Sequence, residues 1–73
     1  MSKQYAAFHV SWRDSKKRPI FLGGDEEFGR AAADALEQKL NALAEEGWII
    51  DRVIQTFGLT PRQSAAYTIV AFK

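Results

Sequence analysis

The chain contains no cysteine and a single histidine, His9. The first absence excludes disulfide bridges and thiolate metal sites, and the second excludes a histidine-rich metal centre built by one chain. Long apolar runs are also missing. The longest mostly apolar stretch, Ala65 to Phe72, is far short of the ~20 residues a membrane-spanning helix requires. Met1 to Gln4 lacks the apolar core of a secretory signal. A net charge of only +1 is not the strongly basic balance expected of a nucleic-acid binder. Together these absences set the expectation of a cytoplasmic protein with no membrane attachment, no metal and no cofactor. With 73 residues, the chain is read as one domain, 1–73. A domain of this size buries only about 60% of the surface its unfolded chain exposes. With disulfides and metals excluded, self-association is the support that remains.

What is present is a clear change of period. In Tyr5 to Trp12, Phe8, Val10 and Trp12 alternate with Ala7, His9 and Ser11, which is the pattern of a strand. A polar break, Arg13 to Pro19, follows, and residues 20–24 read either as a short extra strand or as an apolar flap. From Asp25 onward Phe28, Ala32, Leu36, Leu40 and Leu43 recur at helical spacing. Arg30, Asp34, Glu37, Gln38, Asn41 and Glu45 cover the other side, where solubility accounts for them. Asp25 is suited to cap this helix and Glu26 and Glu27 to its first turn, where the dipole favours negative charge. Gly47 is suited to end it in the left-handed conformation. Trp48 to Phe57 reads as a second strand, Gly58 to Ser64 as a hairpin loop, and Ala65 to Phe72 as a third, central strand. The expected fold is α+β, in the order β-α-β-β. A three-stranded, mainly antiparallel sheet has its C-terminal strand in the middle and one long helix on one face.

Charge is unevenly distributed along that order. In residues 1–24 five cations face Asp14 alone, and in 25–47 seven acids face Arg30 and Lys39. In 48–73 Arg52, Arg62 and Lys73 face Asp51. A polyanion is attracted by the first and last segments and repelled by the middle one.

Gly23-Gly24-Asp25-Glu26-Glu27-Phe28 is similar to the G-G-D/E-E-F signature of diguanylate cyclases. That signature occupies a tight hairpin between two strands. Here an extra residue separates the acids from Phe28 and helical periodicity follows at once, so the stretch reads as a helix start. His9 and Ser11 share a strand face, but no orienting acid is identified beside them and no catalytic residue is assigned. The chain is therefore expected not to be an enzyme. The Arg13–Arg18 loop is the candidate nucleic-acid contact. Arg13, Lys16, Lys17 and Arg18 would grip phosphates while Trp12 stacks on a base. The bland reading of the same loop is a solvated turn.

The stretch Leu40 to Val53, "LNALAEEGWIIDRV", with Tyr67 to Lys73, "YTIVAFK", resembles a small bacterial family classed as a domain of unknown function. Its helix ends in L-N-x-L-G-x-E-G-W-E-L-V-x-V and its last strand is of the Y-x-x-x-F-K kind. Leu40, Asn41, Leu43, Glu46, Gly47, Trp48, Val53, Phe72 and Lys73 match; Ala44 and Ile49 replace the family's glycine and glutamate. The resemblance implies a β-α-β-β fold and no established activity. The local residues suggest that Gly47 reverses the chain and Trp48 anchors the helix end against Leu40 and Leu43. The chain is also similar in element order to the dodecins, flavin binders with a tryptophan near the start of their second strand. On that likeness Trp48 would stack on a flavin, with Gln55 further along the strand.

One helix covers one sheet face. With Phe8, Val10, Trp12, Trp48, Ile50 and Ile54 assigned beneath it, the other face shows Tyr5, Ala7, His9, Ile49, Val53 and Phe57. The central strand adds either Tyr67 and Ile69 or Val70 and Phe72. Soluble monomers rarely leave such an apolar patch bare. The expectation is a homodimer or higher symmetric oligomer packed through Tyr5, His9, Ile49, Val53 and Phe57.

Overall fold

A computed structural model describes residues 3–15 and 25–73 of the chain. The Lys16, Lys17 and Arg18 contact, the 20–24 segment and the side chains of Asp25 and Glu26 lie outside the described residues. Strand β1 spans Tyr5–Ser11, helix α1 Asp25–Glu45, strand β2 Ile49–Gln55, a four-residue helical turn α2 Pro61–Ser64, and strand β3 Ala66–Phe72. The sheet order is β1-β3-β2, with β3 antiparallel to both neighbours. The fold is the expected α+β, β-α-β-β arrangement.

The first strand ends one residue early. Trp12–Asp14 form a 3₁₀ turn capped reciprocally by Ser11 and Asp14. Asp14 Oδ2 accepts from the Ser11 N–H at 2.8 Å, and Ser11 Oγ accepts from the Arg13 N–H at 3.3 Å. Ser11 and Asp14 are thereby engaged in holding the turn. Behind it, Ser15 is buried and its hydroxyl donates to Asp34 Oδ2 at 2.8 Å. Asp34 was expected only to solvate the helix; instead it ties α1 to the turn.

The helix packs closely because its buried stripe is small: Ala31, Ala32 and Ala35, with Leu43 nearer the C-terminus. Val10, Ile69 and Ala71 meet it from the sheet, and Phe8, Leu36, Leu40, Trp48, Ile50 and Tyr67 flank this core half-buried. The helix stops as the sequence implies. Gly47 has φ 91°, its N–H donates to the Ala44 carbonyl, and the Trp48 N–H donates to the Leu43 carbonyl at 3.0 Å. This paired closure satisfies carbonyls that the helix would otherwise leave bare. The Trp48 ring then meets Phe8 edge to face, 5.4 Å between centroids.

The connection from β2 to β3 is more ordered than a plain hairpin loop. Thr60 caps α2, its Oγ1 accepting from the Gln63 N–H. Gly58 runs so close to this turn that an added Cβ would stand 2.5 Å from Gln63 Cβ and 2.8 Å from its backbone carbon.

A bulge decides which residues share a face. Ile50 pairs with Ala71 and Arg52 with Val70, leaving Asp51 as an extra residue in β2. One extra residue reverses the side-chain alternation beyond it. Val53 and Gln55 therefore join Ile50 on the helix side, opposite Ile69 and Tyr67, while Arg52 and Ile54 join Ile49 on the other. Two expectations are corrected. Ile54 does not lie under the helix, and Val53 does not lie on the open face. Phe57 is also displaced from the expected patch: it lies past the end of β2 at Gln55 and is 91% exposed.

Candidate functional site

Two surfaces are open to a partner, the sheet face away from α1 and a cleft at one end of it. The register arranges the open face in rows. At one end Tyr5, Phe72 and Ile49 lie side by side, followed by Ala7, Val70 and Arg52, then His9, Thr68 and Ile54. The central-strand choice left open by the sequence falls to Val70 and Phe72. The first row is apolar: the Tyr5 and Phe72 rings are 5.4 Å apart, and the Lys3 ammonium sits 4.6 Å from the Phe72 centroid. Tyr5 is 58%, Ile49 57% and Ile54 50% exposed, and among the described residues no element covers them. Arg52 is drawn back by Asp51, Nε to Oδ2 3.6 Å, which reduces its cost within an apolar surround. Of the five expected interface residues, the structure brings Tyr5, His9 and Ile49 to this face and leaves Val53 and Phe57 off it.

The opposite end of the face is polar and leads into a cleft of about 470 Å³ between the Trp12–Asp14 turn and α2. Two guanidiniums border it, and both lie on one indole. The Arg13 and Arg62 Cζ atoms are each 5.3 Å from the Trp12 ring centre. Phe28 of α1 meets the same ring edge-on at 5.0 Å and 78°. His9, Ser11, Thr56, Thr60, Gln63 and Ala66 line the rest, and no carboxylate contributes. Of the four basic residues expected to contact nucleic acid, only Arg13 is among the described residues. Its partner here, Arg62, was not singled out by sequence. The Trp12 ring, expected to stack on a base, is instead packed by these arginines and Phe28, so a base reaching it must displace them.

Trp48 is held by different contacts. Besides Phe8, the Lys73 ammonium lies 4.5 Å from its ring centre. Gln55, the other residue of the flavin reading, donates from its amide to the Ser64 carbonyl at 3.3 Å. Both are occupied structurally. Among the described residues no group of three or more His, Cys, Asp or Glu is placed to hold a metal ion, and no helix is long and apolar enough to cross a membrane. No protein family, curated protein or solved structure matches the chain.

Proposed function

We propose that the chain is a self-associating interaction module rather than an enzyme, and that a second copy packs against the open face of its sheet. The observation that carries this reading is the uncovered row of Tyr5, Phe72 and Ile49, continued by Val70 and Ile54. Fully burying a large apolar side chain contributes about 1.5–3 kcal/mol, so several half-exposed ones on one surface make a substantial drive toward association.

Face-to-face packing is favoured over adding a strand at the β2 edge. The Asp51 bulge and its charged pair with Arg52 interrupt the outer side of β2, and bulges and charges are what discourage edge pairing. Light scattering across a tenfold concentration range tests the proposal. A mass of twice 8.2 kDa or a higher multiple supports it, and a monomer throughout defeats it.

A further inference from the structure

We propose that the cleft between the Trp12–Asp14 turn and α2 is a binding site for the phosphate group of a small phosphorylated ligand. The cleft brings together two arginines from distant parts of the sequence, Arg13 and Arg62, on one aromatic ring. Neither has a carboxylate partner among the described residues, although the chain has nine Asp and Glu residues. Two guanidiniums in one cleft repel each other, an effect that solvent moderates because both are exposed and that a bound anion reverses. The indole partly offsets that repulsion through cation–π attraction to both guanidiniums.

The rest of the lining is of the same chemical kind. Gln63 Oε1 accepts from the Leu59 N–H at 3.0 Å, which leaves its Nε2 amide as a donor. Ser11 Oγ accepts from the Arg13 N–H, which leaves its hydroxyl proton to donate. His9 and Thr56 add further polar groups, and no lining residue bears negative charge. Such a donor-rich, acid-free wall is matched by a tetrahedral oxyanion, and Arg forks recognise phosphate oxygens bidentately.

Size and charge favour a small molecule over a nucleic-acid strand. A volume of about 470 Å³ lies in the range of small-ligand sites. The Trp12 ring is packed by its arginines and Phe28, so no bare stacking platform is offered to bases. Helix α1 carries six acids in its sequence, Asp25, Glu26, Glu27, Asp34, Glu37 and Glu45, against Arg30 and Lys39, which disfavours an extended polyanion more than a compact anion that stays within the cleft.

Titration of the isotope-labelled 73-residue chain with inorganic phosphate, pyrophosphate and a single-stranded thymidine oligonucleotide, followed by NMR, tests the site. The expected result is saturable movement of the Trp12 indole and the Arg13 and Arg62 Nε–H signals with pyrophosphate. R62Q and the R13Q/R62Q double variant weaken it by about tenfold or more, whereas K39Q leaves it unchanged. Unaltered Trp48 indole and backbone signals establish that the variants fold. The proposal is overturned if pyrophosphate moves all cationic side chains alike without saturating. It is equally overturned if R13Q/R62Q binds as well as the parent, or if only the oligonucleotide binds.

Discussion

Val53 stands directly opposite Ile69 in the β2–β3 ladder. Ile69 is fully buried beneath α1, so Val53 faces the helix side of the sheet and not the bare one. It is nonetheless 39% exposed, because β2 lies at the margin of the sheet beyond the helix's cover. Its neighbour Ile54, opposite Thr68, faces the other way.

This pair gives a discriminating test of which face associates. Ile54→Asp is expected to weaken self-association by at least tenfold. Val53→Asp is expected to leave it intact at a cost of about 1 kcal/mol in stability, an ordinary value for a partly exposed site. Analytical ultracentrifugation of both variants checks this, and the reverse order of effects contradicts the face assignment.

Gly47→Ala is expected to destabilise the fold by about 1–2 kcal/mol, the cost of holding a residue with a Cβ in left-handed conformation. Beyond the adjoining residues no atom lies within 4 Å of the added methyl, so the loss is conformational and not steric. Urea denaturation measures it as a lower midpoint with an unchanged slope.

Trp48→Ala removes the ring that closes the helix end against Phe8. The ring is half-buried, so the expected loss is about 3 kcal/mol, the lower part of the range for large aromatic truncations. Thermal unfolding of the variant checks it; a loss below about 1 kcal/mol contradicts the anchoring role.

Ser15→Ala is expected to cost about 1–2 kcal/mol, since it removes a buried donor from a charged acceptor. Gln38 Nε2 also donates to Asp34 Oδ2, at 3.2 Å, and limits the damage by keeping the carboxylate partly satisfied. Chemical denaturation monitored by circular dichroism gives the value, and a neutral result shows that the Ser15–Asp34 tie does not hold the turn to α1.

Much of this was legible in the sequence, for physical reasons that differ by element. The helix end was readable because Gly47 and Trp48 act through contacts only a few residues away. The strand order followed from the apolar continuity of residues 65–72. The faces of β2 were harder. A period-two reading carries Trp48 and Ile50 on to Ile54, and only the three-residue step from Ile50 to Val53 signals that Asp51 is extra. The register of β3 was unreadable because both of its faces carry apolar residues. The meeting of Arg13 and Arg62 on Trp12 depends on two turns distant in sequence, and no local pattern announces it. Ser15 and Asp34 were missed for the same reason, each looking like an ordinary polar residue of its own segment.

The row formed by Tyr5, Phe72 and Ile49 is the proposed centre of association, and an isotope-filtered NOE experiment on a mixed sample of labelled and unlabelled chains tests it most directly. The predicted result is a set of intermolecular contacts among the Tyr5 and Phe72 rings and the Ile49, Ile54 and Val70 methyl groups. Intermolecular contacts confined to Val53, Phe57 or α1, or none in a sample that light scattering shows to be monomeric, would contradict it.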